Sequence, residues 1–313
     1  MQPFESWPEF GLPRGYFTDT KEPSLPEFFA DQGFCVLSEA FNAEEIERLR
    51  RETARLSRNE DGKIRGVDPA PAAWDDLEAQ RRVLCIHFPH KISEVMLETM
   101  SSPQMVQVLT RIIGPDVKAM QSMLFLKASG KPGQAWHQDE YFIPTRDRSL
   151  CGAWIALDDA TVENGCLWVI PGSQRSGVIW PQKFHYDTRF DCSKEAYGYE
   201  WTDDDSVPVE VKAGSIVFFN GYLLHRSLEN RSQGAFRRSL VNHYMSASSL
   251  LPWRLPEGKH AVATADYRDI VLVAGKDPYA WKGIDSSIEQ AFIRPDGEGG
   301  CIEWKERKPP VMD

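Results

Sequence analysis

The chain lacks an excess of basic residues: 36 Lys and Arg stand against 46 Asp and Glu, a formal net charge of −10. That balance disfavours a non-specific nucleic-acid binder and attraction to an anionic membrane surface. It lacks any CxxC spacing. Its six cysteines (Cys35, Cys85, Cys151, Cys166, Cys192 and Cys301) are scattered, which gives neither a zinc pattern nor a disulfide framework. Apolar neighbours around Cys35, Cys85, Cys151 and Cys166 predict buried free thiols. No run reaches the ~18 apolar residues of a membrane span. The opening residues, Met1-Gln2-Pro3-Phe4-Glu5, carry neither a basic nor an apolar segment, so no secretory signal is expected. A reducing, cytoplasmic setting is the expectation. No internal repeat or low-complexity tract is visible.

What is present suits a single globular domain of ordinary composition. At 313 residues and 42% hydrophobic, the chain can bury a full core in one large domain. Residues 1–116 are expected to be a largely helical support that begins with a surface arm over 1–23. Leu25 to Gln32 reads as a helix ended by Gly33, and Phe34 to Leu37 as a short strand. Asn42 and Glu45 form a capping box ahead of Ile46, Leu49, Thr53 and Leu56, one face of a second helix. Residues 59–80 read as a long loop. Ser102-Pro103 opens a further helix bearing Val106, Leu109 and Ile113, and Gly114-Pro115 ends it.

From Val117 the pattern changes to short β runs separated by Gly, Pro and Asn: 120–127, 135–142, 150–157, 166–170, 208–212, 215–219 and 236–244. The fold predicted is mainly β with flanking helices, closed as a double-stranded β-helix barrel of jelly-roll or cupin type. This core spans 117–250. An aromatic and acidic insertion over 174–207 could fold over the barrel mouth or run as a surface excursion with no substrate role, and 251–313 form a C-terminal extension.

The chemistry-bearing residues lie within that core. His137 and Asp139 are two apart in a predicted strand, so both side chains face one side. His225 comes much later, after the apolar run Ile216-Val217-Phe218-Phe219 and the turn Asn220-Gly221. Two imidazoles and one carboxylate can occupy one face of an iron(II) and leave the opposite positions open; zinc also accepts such ligands. Ser227 shares the face of His225. Arg237, or its neighbour Arg238, can supply the guanidinium fork that a dicarboxylate co-substrate needs. The two arginines face opposite sides of a strand, so only one can serve. His87 and His90 are read as structural, and His243 receives no role.

Longer stretches carry a resemblance. They are Trp136-His137-Gln138-Asp139, the segment Cys151 to Asp159 with Trp154, and Glu163-Asn164-Gly165-Cys166-Leu167 through Pro171-Gly172-Ser173. Ala213 to Phe219, His225-Arg226-Ser227 and Phe236-Arg237-Arg238 follow, and Asp31 to Leu37 precedes them all. Together they resemble the phytanoyl-CoA dioxygenase family of iron(II)/2-oxoglutarate oxygenases, over roughly residues 25–290. The resemblance implies His137, Asp139 and His225 as iron ligands. It implies Arg237 as the anchor of the far carboxylate of 2-oxoglutarate, with Ser227 assisting and Trp154 lining that pocket. Gln121 is added on the co-substrate side, and Tyr141, Trp168, His185 and Lys127 as substrate contacts. His225 and Arg237 stand one residue further apart than the family spacing expected. Asp139 speaks against the halogenating branch, which lacks the carboxylate ligand.

The expected function is therefore a dioxygenase that uses iron(II), 2-oxoglutarate and O2 to hydroxylate a small organic molecule, with release of succinate and CO2. The acidic charge tilts the substrate towards a small or cationic molecule over a CoA ester. The rival reading is a metal-binding β-barrel that binds a small ligand without turnover.

Overall fold

Alternation along the strands sorts side chains onto two faces, and that sorting builds the layers of the protein. The structure, a computed structural model, describes residues 14–191, 194–250, 266–287 and 290–296. Cys192 and Cys301, the first part of the expected arm and most of the expected C-terminal extension lie outside the described residues.

The strands run in chain order as β1 (Tyr16–Phe17), β2 (Phe34–Leu37), β3 (Val83–His87), β4 (Val117–Lys127), β5 (Gly133–His137), β6 (Cys151–Ala156), β7 (Leu167–Val169) and β8 (Gln182–Phe184). They continue with β9 (Phe190–Asp191), β10 (Lys194–Ala196), β11 (Val207–Val209), β12 (Ile216–Asn220), β13 (His225–Ser227), β14 (Arg237–Ser246), β15 (Val271–Ala274) and β16 (Phe292–Pro295). The helices are α1 (Leu25–Gln32), α2 (Ala43–Arg58), α3 (Asp76–Arg81), α4 (Glu94–Met100), α5 (Pro103–Ile112) and the single turn α6 (Asp139–Phe142).

The major sheet has the order β1-β2-β12-β6-β14-β4-β3-β16, with β15 also on β4; the minor sheet is β11-β7-β13-β5-β9. One face of the major sheet carries Cys35, Leu37, Cys151, Ala153, Ile155, Ile216, Phe218 and Leu240. These pack on Leu25 and Phe29 of α1, Ile46, Leu49 and Leu56 of α2, Met96 and Met100 of α4, and Met105, Val108 and Leu109 of α5. The other face carries Val36, Trp154, Val217, Phe219 and Val241, which meet Leu167, Val169 and Val209 of the minor sheet. The expected double-stranded β-helix is thus present as two facing sheets. Their edges do not join into a continuous barrel, because the major sheet runs on through β3 and β16 instead of turning into the minor one.

The helix ends follow local rules. The N–H of Gly33 donates to the Phe29 carbonyl at 2.8 Å, with φ at 81°, a left-handed cap that glycine adopts without penalty. Asn42 Oδ1 accepts from the N–H groups of Glu44 and Glu45 at 2.9 and 3.0 Å, and Glu45 Oε2 accepts from the Asn42 N–H at 2.8 Å, completing the expected capping box.

Four expectations need correction. Residues 135–142 do not form one strand: β5 ends at His137, and α6 begins at Asp139. The Glu140 N–H donates to the Gly221 carbonyl at 2.9 Å, outside the ladder of β5. The loop over 59–80 is shorter than expected, since Asp75 and Glu78 form a capping box that starts α3. The β core is not confined to residues 117–250, because β1, β2, β3, β15 and β16 also join the major sheet. The insertion over 174–207 is anchored on the outer face of the minor sheet, where Trp180, Tyr199 and Trp201 pack around Trp136, Ile170 and Leu224.

Phe218 is fully buried between the major sheet and the helices. Phe218→Ala is expected to lower unfolding free energy by about 3–5 kcal/mol through lost burial and a cavity, read as a lower urea midpoint.

Candidate active site

The cross-strand register of β5 and β13 makes His137 and His225 direct partners. Both therefore project into the space between the sheets, with ring centroids 4.1 Å apart. Each ring is fixed through its Nδ1: His137 to the Ala135 carbonyl at 2.8 Å, and His225 to the Leu223 carbonyl at 3.0 Å. A carbonyl can only accept, so Nδ1 carries the proton and Nε2 presents its lone pair. Burial, and then His137 beside it, push His225 down to about 4, so it is a neutral donor at neutral pH.

Asp139 leaves the strand, yet its carboxylate returns to the same point. Its Oδ1 lies 3.6 Å from Nε2 of His137 and 3.6 Å from Nε2 of His225. One ligand atom from each of the three residues falls within 4.8 Å of the others. Gln138 between them faces the opposite way: its amide donates to the carbonyls of Val178 and Tyr222 and accepts from the Trp180 N–H. The insertion is thereby tied to the peptide that carries the ligands.

A residue without an assigned role completes the arrangement. His243 Nε2 lies 2.9 Å from Asp139 Oδ2, so it donates to that oxygen and leaves Oδ1 turned towards the histidines. Burial would raise the Asp139 carboxyl, but His225, His243 and His137 overcome it and hold the group below the usual carboxylate range. The signal in the sequence was parity: His243 is six residues after Arg237 on one strand, hence on the same face.

Arg237 is 4% exposed and lies in the same cavity, its guanidinium 5.4 Å from the centre of the Trp154 ring. It donates through Nη1 to Ser239 Oγ at 2.8 Å, while its Nε has no hydrogen-bond partner. Burial pulls it down to about 10, so it stays charged at neutral pH, with no carboxylate in ion-pair contact among the described residues. Arg238 faces the other way and is bound to Asp158 through Nε and Nη2 at 2.8 and 2.7 Å. The strand's alternation thus separates the two arginines.

Ser227 lines the cavity beside Arg237. Lys127, read in the sequence as a substrate contact, lies at this end instead, opposite Arg237 in the ladder. Gln121 pairs with His243 across the same ladder and does not line the cavity. Three expected substrate contacts are not brought together there. Trp168 points to the outer face of the minor sheet, where the Arg226 guanidinium lies 5.8 Å from it and 4.5 Å from Trp136. His185 packs edge-on against Phe190 within the insertion. Tyr141 is 39% exposed and packs on Phe142, whose ring is 6.3 Å from His137. His87 stacks on Phe292 at 4.2 Å, and His90 Nδ1 bonds Ser122 Oγ at 2.5 Å.

The profile of the phytanoyl-CoA dioxygenase family matches residues 29–239, more than half of the chain. The chain belongs to the phytanoyl-CoA dioxygenase family. The peroxisomal phytanoyl-CoA dioxygenase of Rattus norvegicus is 32% identical, over 74% of this chain and 71% of the rat protein. Among solved structures, the apo form of the non-heme monooxygenase ThoJ superposes with a TM-score of 0.60 at 19% identity, over 80% of this chain and 84% of ThoJ. The epimerase SnoN, in complex with Fe3+, alpha-ketoglutarate and a nogalamycin compound, superposes with a TM-score of 0.57 at 18% identity, over 81% of this chain and 95% of SnoN. These two likenesses are of fold. Membership of the family places the chain among iron- and 2-oxoglutarate-dependent oxygenases.

Removing the hydrogen bond that orients Asp139 should weaken the metal centre. His243→Ala is expected to reduce metal affinity about 10–100-fold, read by titration of the purified protein with cobalt(II).

Proposed function

We propose that the protein is an iron(II)- and 2-oxoglutarate-dependent oxygenase that hydroxylates a small organic molecule, with His137, Asp139 and His225 as metal ligands and Arg237 as the co-substrate anchor. The observation that carries this reading is the pairing of the two halves of one cavity. At one end stand three ligand atoms within 4.8 Å of one another. At the other stands a buried guanidinium whose charge no carboxylate of the described residues meets. A ligand-binding barrel without turnover has no use for that buried cation, and leaving it unpaired is costly.

The residues fit both groups. Two Nε2 lone pairs and one carboxylate oxygen are the facial donor set that suits non-heme iron(II). The guanidinium and the Ser227 hydroxyl suit a carboxylate. Iron(II), when bound, supplies the redox chemistry that couples O2 and 2-oxoglutarate to substrate oxidation, yielding succinate and CO2. The protein's own residues orient and exclude. The carbonyls of Ala135 and Leu223 hold the imidazoles, and His243 holds Asp139. Phe125, Leu167, Phe219 and Val241 give the cavity apolar walls, which keep water from the reacting centre.

The substrate proposed is a small molecule, neutral or cationic, in keeping with the acidic surface. No helix among the described residues is long and apolar enough to cross a membrane. Cys35, Cys85, Cys151 and Cys166 are buried, and Cys35, Cys151 and Cys166 are free thiols, which suits the reducing compartment iron(II) requires. The cytoplasm is the compartment proposed, although the rat relative is named as peroxisomal.

The test is formation of succinate from 2-oxoglutarate by the iron(II)-loaded protein. His137→Ala and Asp139→Ala are each expected to abolish it, and normal turnover in either would remove the metal assignment. Arg237→Ala is expected to raise the KM for 2-oxoglutarate about tenfold or more, the effect of losing a charge-assisted hydrogen-bond pair. Metal binding without succinate formation in any condition would favour the ligand-binding barrel.

A further inference from the structure

Lys127 is 5% exposed, a rare state for a lysine unless it has work to do. Its Nζ donates to Ser227 Oγ at 2.9 Å and to the Leu228 carbonyl at 2.6 Å. An ammonium has three donors, and these are two of them. The seat is made by the Asn164-Gly165 turn. Asn164 Nδ2 donates to the Asp159 carbonyl at 2.8 Å and its Oδ1 accepts from the Thr161 N–H at 2.8 Å. Gly165 has φ at 84°, and a Cβ there would press on the Leu228 carbonyl and lie 3.1 Å from Lys127 Nζ. Any larger residue at 165 would crowd the ammonium.

Lys127 stands opposite Arg237 in the β4–β14 ladder, so two buried basic side chains are neighbours. Neither has a carboxylate in ion-pair contact among the described residues. Burial, and then Arg237, depress the proton affinity of Lys127 well below the usual lysine range. Arg237 keeps its charge at this end of the cavity, beside Lys127 as a second hydrogen-bond donor, and that charge is left to a ligand to balance.

Ser227 shows how that charge is used. Its Oγ accepts from Lys127 Nζ and from the Gln134 N–H at 3.3 Å. A hydroxyl has two lone pairs and one proton. With both lone pairs engaged, the proton is left to donate, and Ser227 is among the residues that line the cavity.

We propose that Lys127 is a positioning residue for the co-substrate, which fixes the Ser227 hydroxyl as a donor to the far carboxylate of 2-oxoglutarate and, with Arg237, makes the site selective for a dianion. This rests on the oxygenase reading above. It assigns to Lys127 a part in choosing dicarboxylate over monocarboxylate keto acids, at some distance from the metal.

The experiment is equilibrium binding, by calorimetry without oxygen, of two keto acids to the iron(II)-loaded full chain. One is 2-oxoglutarate. The other is 2-oxopentanoate, which has the same carbon chain and no far carboxylate. Lys127→Met is expected to weaken 2-oxoglutarate about tenfold, the scale of one charge-assisted hydrogen bond, and to leave 2-oxopentanoate unchanged. Ser227→Ala should give a similar loss, and the double variant little more than either single one, since the two residues act through one hydroxyl. Should Lys127→Met not fold, Lys127→Gln carries the same test, with at least a threefold loss for 2-oxoglutarate alone. Unchanged 2-oxoglutarate affinity, equal losses for both keto acids, or additive losses with Ser227→Ala would overturn the proposal. If the wild-type protein holds the metal and binds neither keto acid, the oxygenase reading itself falls, and this inference with it.

Discussion

The register between β5 and β13 is the constraint on which the site depends. It sets His225 opposite His137, and a slip of one residue in either strand would send that strand's ring to the outer face. The flanking strands hold that register from both sides, with β7 paired to β13 and β9 to β5. Backbone carbonyls at Ala135 and Leu223 then remove the remaining freedom of each ring. Asp139 needs a different device because it lies past the strand's end. There, His243 of the opposite sheet takes one carboxylate oxygen, so the metal centre is assembled only when the two sheets face each other.

The same opposition of sheets explains the charge pattern. Arg238, on the helix side, is neutralised by Asp158 within the fold. Arg237 and Lys127, on the inner side, are not neutralised by any carboxylate of the described residues. Adjacent positions on one strand therefore meet opposite fates, one ion-paired within the fold and one turned into the cavity. The apolar contacts between Trp154, Leu167, Val217 and Phe219 supply the low-polarity surroundings in which such an interaction gains strength.

Much of this was legible in the sequence because it is local. The Gly33 cap, the Asn42–Glu45 box, the helical face of Ile46 to Leu56 and the strand alternation that separates Arg237 from Arg238 all depend on neighbours a few residues away. The fold and the family followed from motifs spread along the chain. The misplaced residues depend on partners far off. Trp168 was set among substrate contacts because nothing nearby shows that β7 turns Leu167 inward; the register against β13 decides it. Asp139 was read into the strand because a strand and a helical turn both bring it beside His137. The role of His243 rests on a contact across 104 positions, and that of Lys127 on a turn at Gly165 and a carbonyl at Leu228.

Strand β5 and its partner β13 have a second face. Trp136, Gln138 and Arg226 alternate with His137, Asp139 and His225 and hold the insertion, Gln138 through the backbone at 178 and 180, and Arg226 with Trp136 through Asp203. The two sides share one backbone, so order on one is thermodynamically linked to order on the other. A metal that rigidifies His137 and Asp139 steadies Gln138 and the segment it grips. By reciprocity, a molecule that grasps the exposed Phe184 or Tyr186 of the insertion would feel the occupancy of a centre it never touches. The insertion is in that sense a reporter, bolted to the back of the active site, of what happens at the front.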